Sequence, residues 1–193
     1  MKLVILGRDG ILNHYRDDHV KAPDEWVPIE GALQAVARLN HAGWHAVVAT
    51  NQAGIGRGMI DMASINAIHA HMMQRVQQAG GRLDAVFFCP HAPQEACECR
   101  KPAPGMMFDI CRRYGLSTSD VHLVADTLRD LLAAQAAGCQ PHLVLSGRAA
   151  QLDPAQLDDW QRQVPRTRVH TDLAALADHL LQGERATAAP IGS

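Results

Sequence analysis

Short apolar, β-branched runs alternate with stretches of helical periodicity along most of the chain, and that alternation leaves few folds open. Residues 2–6, 44–49, 83–88, 121–124 and 142–145 read as strands, each with a composition suited to burial on both faces. Between them, 31–42, 61–79, 104–114 and 128–137 space their apolar residues as helices do, with Pro104 at a start and Gly115 and Gly138 at ends. A further helix is read over 173–181. Strands and helices in strict alternation build a parallel sheet covered by helices on both sides, a three-layer α/β/α, Rossmann-like domain. At 193 residues and 47% hydrophobic content the chain supports one core. The expected organisation is a single domain over 1–183, followed by a tail from Glu184 to Ser193 expected to be disordered.

Ligands of such sheets sit at the carboxyl ends of the strands. That rule selects Gly7-Arg8-Asp9-Gly10, Thr50-Asn51-Gln52, the loop from Cys89 to Lys101, and Asp126-Thr127-Leu128-Arg129-Asp130. The loop has its own signature. Cys89, His91, Cys97 and Cys99, spaced Cys-x-His-x5-Cys-x-Cys, are the ligand set of a closed tetrahedral zinc site, and Cys97 and Cys99 lie in polar surroundings unlike those of buried free thiols. Zinc there would fix Arg100 and Lys101 as a rigid cation pair, which suits an anionic ligand. A formal net charge of -2 provides no broad basic field for nucleic acid. The apolar run at 3–6 is too short for a signal peptide, no stretch reaches the ~20 apolar residues of a membrane span, and thiols used as ligands fit a reducing compartment. A cytoplasmic protein, without nucleic-acid or membrane partners and by default a monomer, is the expectation.

These motifs carry a resemblance. Gly-Arg-Asp-Gly-Ile-Leu-Asn at 7–13, Ala-Thr-Asn-Gln at 49–52, Cys-Arg-Lys-Pro at 99–102 and Val-Ala-Asp-Thr-Leu-Arg-Asp at 124–130 stand in the order and spacing of the haloacid dehalogenase superfamily of phosphatases. The zinc loop and Asn-Gln-Ala-Gly-Ile-Gly-Arg-Gly at 51–58 narrow it to the small-cap branch related to histidinol-phosphate phosphatases. The resemblance implies a phosphorylated sugar as partner and hydrolysis of the 7-phosphate of a heptose 1,7-bisphosphate, a step toward the nucleotide-activated heptose of lipopolysaccharide; histidinol phosphate is the alternative substrate. It implies an aspartyl-phosphate intermediate formed by a carboxylate at the end of the first strand, with Asp9 as general acid and base two residues on. Magnesium would be held by the nucleophile, the Asp9 carbonyl and Asp126, with Asp130 supporting from behind. Thr50 and Asn51 would bind phosphoryl oxygens, Lys101 would neutralise charge developing on them, and Arg100 and Arg57 would reach remote parts of the substrate. Residues 14–25, with Tyr15, Arg16, Asp17 and Asp18, would form a small flap.

One position departs from that pattern. Where the family has its nucleophilic Asp, this chain has Gly7. Glycine offers neither nucleophile nor metal ligand, and loss of a nucleophile can cost on the order of a millionfold in turnover. The chain as written is expected to be inactive or nearly so, with weakened magnesium binding, and a non-catalytic phosphosugar-binding protein is the rival reading. Ala125 and Ala53, where Gly and Ser are common in the family, point the same way. His69 and His71 read as packing or surface residues, Met72, Met73, Met106 and Met107 as filler, and Cys111 and Cys139 need no role.

Overall fold

In a computed structural model the chain is described over residues 1–188, with side chains described as far as Gly183. Six parallel strands form one sheet in the order β3-β2-β1-β4-β5-β6. They are β1 (Lys2–Leu6), β2 (Trp44–Asn51), β3 (Ala85–Cys89), β4 (Val121–Ala125), β5 (Gln140–Val144) and β6 (Arg168–His170). Seven helices accompany them: α1 (Ala32–His41), α2 (Ala53–Gly56), α3 (Met62–Gln78), α4 (Gly105–Tyr114), α5 (Leu128–Ala137), α6 (Pro154–Gln163) and α7 (Leu173–Ala188).

The sheet separates two apolar layers. On one side Val4, Leu6, Val48 and Val124 pack with Leu33, Val36, Ile65, Ile68, Leu176 and Leu180 from α1, α3 and α7. On the other, Leu3, Ile5, Val47 and Leu123 pack with Met107, Ile110, Leu131 and Ala134 from α4 and α5. Side chains alternate across a strand, so consecutive residues of β1 serve both layers, and its four residues from Leu3 to Leu6 are fully buried. Helix ends follow local chemistry. Asp61 caps α3 by accepting from Ser64 N–H, Thr127 caps α5 by accepting from Asp130 N–H, and Gly115 and Gly138 end α4 and α5 in the left-handed region.

The three-layer parallel architecture is as expected, with four differences. β3 is an edge strand, and its first four residues are half-buried rather than buried on both faces. α6 and β6 were not read from the sequence: α6 sets only Leu157 and Trp160 against the core, both half-buried, and β6 has three residues. The last helix runs to Ala188, past the point where a disordered tail was expected to begin; the rest of that tail, 189–193, lies outside the described residues. Among the proposed fillers Met72, Met106 and Met107 are buried but Met73 is exposed.

Candidate active site

After β3 the chain returns across the sheet to β4, on the other side of β1, so the strand order reverses between β1 and β4 and opens a crevice there. A cleft of about 250 Å³ occupies it, lined by Gly7, Asp9, Thr50, Asn51, Lys101, Asp126 and Asp130 from the strand ends, and by Tyr15, Arg16, Arg57, Arg100, Arg129 and Arg148 toward its mouth. Every residue assigned to phosphate chemistry from the sequence thus faces one space. The mouth is strongly cationic.

Each carboxylate in the floor has a different environment. Asp9 accepts from Arg8 Nη2 at 3.0 Å, Asn13 Nδ2 at 2.9 Å and Gln52 Nε2 at 3.2 Å. Burial would raise its pKa, but the Arg8 charge and the hydrogen bonds from Asn13, Arg8 and Gln52 outweigh it and hold the carboxyl below its ordinary range. Asp130 is also buried and also held low, because the Lys101 and Arg129 charges outweigh its desolvation. The Lys101 Nζ donates to Asp130 Oδ2 and to the Ala49 carbonyl, both at 2.9 Å, leaving one of its three N–H groups for a ligand. Asp126 behaves in the opposite way: burial, joined by the Asp130 charge, pushes it up to about 6. Its Oδ2 accepts a backbone N–H from Arg148 at 3.0 Å, and among the described residues no ion pair takes it up. A desolvated carboxylate without a counter-charge is a natural cation ligand.

Two glycines make this packing feasible. A Cβ on Gly10 (φ +82°) would lie 2.0 Å from Asp126 Oδ2, and one on Gly147 (φ +54°) 2.4 Å from the same atom. Gly7 is different. Its backbone is not left-handed, and the one close obstacle to a Cβ is Ile11 Cγ1 at 2.9 Å, on a buried side chain that would have to give way. Position 7 therefore has the backbone for an aspartate and lacks only the side chain.

Beside the cleft, the ligand atoms of Cys89, His91, Cys97 and Cys99 lie within 4.8 Å of one another. His91 Nδ1 is 3.4 Å from Cys89 Sγ and 3.3 Å from Cys99 Sγ, and the sulfurs of Cys89 and Cys97 are 3.8 Å apart. Zinc–sulfur bonds of about 2.3 Å at tetrahedral angles place sulfurs about 3.8 Å apart, so the cluster has the size of a zinc tetrahedron. All five cysteines are free. The loop is tied to the cleft: Arg100 Nη1 donates to the His91 carbonyl at 3.2 Å, and the Asn51 carboxamide both accepts from Lys101 N–H and donates to its carbonyl. That geometry adds a role for Asn51 beside the one expected of it. Its side chain is held at both ends by the Lys101 backbone, so it positions Lys101, and the second N–H of its carboxamide is what it has left for a ligand.

Several residues of the site were not singled out from sequence. Arg8, only 1% exposed, pairs with Asp9 and lies 3.3 Å from His69 Nε2, which burial and the Arg8 charge push down to about 4. His69 is thus a packing residue, as read, but one against the site. Asn13 and Gln52 orient Asp9. Ser146, Gly147 and Arg148 follow β5, and the strand-end rule that found the other motifs applies equally there.

A sequence model described as HAD-hydrolase-like matches residues 98–176. The D-glycero-beta-D-manno-heptose-1,7-bisphosphate 7-phosphatase of Bordetella bronchiseptica is 50% identical over 183 residues, 94% of this chain and 99% of the relative. The phosphatase of that name from Pseudomonas aeruginosa is 43% identical over 180 residues, 93% of this chain and 98% of the relative. Among solved structures, the B. bronchiseptica D,D-heptose 1,7-bisphosphate phosphatase complexed with magnesium and phosphate superposes with a TM-score of 0.88, covering 95% of this chain and 99% of its own. The Burkholderia thailandensis D,D-heptose 1,7-bisphosphate phosphatase, 44% identical, gives 0.72 over 94% and 99%.

Proposed function

Because the chain belongs to the D-glycero-β-D-manno-heptose-1,7-bisphosphate 7-phosphatase family of haloacid dehalogenase-like hydrolases, we propose that its cleft receives the 7-phosphate end of that bisphosphate. The observation that carries this is the assembly of Asp9, Lys101, Asp126 and Asp130 in one crevice at the β1/β4 switch. Lys101, buried and paired with Asp130, presents its remaining N–H to the phosphoryl group, and Thr50 offers its hydroxyl from the adjacent strand end. Asp9 stands ready to exchange a proton with the leaving oxygen. Its Arg8 pair favours the carboxylate, which suits the base half of that role, and an incoming dianion is what would raise its proton affinity for the acid half. Arg57 and Arg100 at the mouth suit the distal, anionic part of a sugar bisphosphate.

The donors present fit magnesium in a reduced form. Asp126 and the Asp9 carbonyl are hard oxygen ligands, and magnesium is commonly held by one or two carboxylates together with substrate phosphate; position 7 supplies none. Bound there, the ion would shield phosphate charge. Without a carboxylate at position 7 no aspartyl-phosphate forms on this chain, so it binds its phosphate ester and turns it over negligibly. Cys89, His91, Cys97 and Cys99 would hold a structural zinc that fixes Arg100 and Lys101. Histidinol phosphate draws no support from the names of the relatives.

The deciding experiment measures phosphate release from heptose 1,7-bisphosphate with magnesium, for this chain and for Gly7→Asp. Release by the variant alone is the expected result. A variant that is folded and binds magnesium yet releases none would overturn the assignment of position 7, and turnover by the unaltered chain would overturn the expected inactivity.

A further inference from the structure

The segment that follows β5 touches three separate parts of the cleft. Ser146 Oγ donates to the Gly10 carbonyl at 2.6 Å, in the turn that carries Asp9. Gly147 lies so close that a Cβ would be 2.4 Å from both Gly10 Cα and Asp126 Oδ2. Arg148 donates its backbone N–H to Asp126, and its guanidinium lies 3.7 Å from the centroid of the Tyr15 ring. These first two contacts leave the segment little freedom, so the Arg148 side chain starts from a fixed point. Tyr15, Arg16, Asp17 and Arg148 all line the cleft.

The stacking has a consequence for the flap. Around Tyr15, residues 14–18 are also held by His14 N–H to the Val27 carbonyl at 2.9 Å, by Asn13 Nδ2 to the His14 carbonyl at 3.0 Å, by His19 N–H to the Arg16 carbonyl at 3.3 Å, and by an exposed ion network of Arg16, Asp18, Lys21 and Glu25. Exposed ion pairs contribute little. The guanidinium on the Tyr15 face adds a further hold, and it leaves the N–H edge of the arginine available; among the described residues no carboxylate or carbonyl takes that edge. An anionic group entering the cleft mouth is the acceptor it lacks.

We propose that Arg148 is a positioning and specificity residue of this cleft: stacked on Tyr15, it latches the flap across the mouth and offers its N–H edge to the distal phosphate of a sugar bisphosphate. The second part rests on the reading of the cleft given under Proposed function; the latch itself does not. Arg148 discriminates by charge at the far end of the ligand, and takes no part in the chemistry at the floor.

Two measurements on the unaltered chain, Arg148→Met, Arg148→Lys, Tyr15→Leu and the double variant Tyr15→Leu/Arg148→Met test it. Hydrogen exchange without ligand tests the latch: the hydrogen-bonded amides of His14 and His19 should exchange about fivefold faster in Arg148→Met, and unchanged rates overturn the latch whatever the cleft binds. Calorimetry with heptose 1,7-bisphosphate and with inorganic phosphate tests specificity. Arg148→Met and Tyr15→Leu should each weaken the bisphosphate about tenfold, Arg148→Lys less, and the double variant no more than the worse single variant. Phosphate affinity should stay within about twofold. Equal losses for both ligands would assign the effect to a displaced Asp126, and multiplying losses in the double variant would mean that the two residues act independently; either overturns the proposal. An unaltered chain that binds neither ligand refutes the reading of the cleft, and the specificity role with it, while the exchange result still decides the latch.

Discussion

Two regions of this molecule gather metal-binding side chains, and they differ in shape. In the loop after β3, three thiols and one imidazole converge on a point, every ligand atom within 4.8 Å of the others. Across β4, β5 and β6, on the α7 face, His122, His142 and His170 form a line. His122 Nδ1 lies 2.8 Å from His142 Nε2, and His142 Nδ1 lies 3.0 Å from His170 Nε2, with His179 of α7 beside the last ring. His142 uses a different nitrogen toward each neighbour, so no single ion can replace both contacts. A neutral imidazole has one donor and one acceptor, and the central ring of a line can use both. Residue type alone would have nominated both clusters as metal sites; convergence distinguishes them.

The contrast can be broken first by removing metal. Elemental analysis should find about one zinc per chain, not two, and a strong chelator or Cys99→Ser should lower stability by more than about 3 kcal/mol and abolish bisphosphate binding as Arg100 and Lys101 lose their anchor. A melting temperature indifferent to the chelator would remove the distinction.

Acid tests the line. Burial, followed by the charges of His122, His170, His179 and Arg168, pushes His142 down to about 2. The unfolded chain, where the group titrates near 6.5, therefore binds more protons than the folded one as pH falls below that value, and stability is lost toward acid. Between pH 6.5 and 4.5 the loss from this residue is about 2–3 kcal/mol. Asp126 works the other way: with its pKa raised to about 6 from 3.8, it favours the folded state more as pH falls through that interval. The loop would also lose zinc to protons, so the readout is the difference from His142→Phe, whose melting temperature should fall less steeply between pH 6.5 and 4.5. Parallel pH profiles would show the line to be electrostatically inert.

Two smaller effects sharpen the picture. Glu95 accepts from the Ala92 N–H at 2.5 Å inside the zinc loop, and Glu95→Ala should cost about 1–2 kcal/mol in the zinc-loaded protein by thermal unfolding. His179, at the exposed end of the line and hydrogen-bonded by Arg168, should tolerate His179→Ala within about 0.5 kcal/mol. A larger loss at His179 than at Glu95 would reverse the ranking of the two regions.

The same contrast governs what was legible in the sequence. Cys89 to Cys99 could be read because a convergent site formed within one short loop leaves its spacing in the chain. His122, His142 and His170 stand on three strands at separations of 20 and 28 residues, and only sheet register brings them together. The strand-end rule located Asp9, Thr50 and Asp126 because each follows an apolar run, and Lys101 because it closes the loop that follows one. It could not say how Asn51 spends its carboxamide, or that Arg8 turns inward, since both depend on which backbone lies opposite. α6 had a local signal, Asp153 and Gln156 forming a capping box around Pro154, and only a narrow apolar stripe, Leu157, Trp160 and Val164, beside it.

The backbone at position 7 accommodates an ordinary side chain once Ile11 gives way, and that has a genealogical consequence. The codons GGU and GGC become GAU and GAC by a single transition at the second base. A gene with either codon at position 7 stands one point mutation from the aspartate that the resemblance places there, and selection on the fold can keep that route open for as long as the neighbouring motifs last.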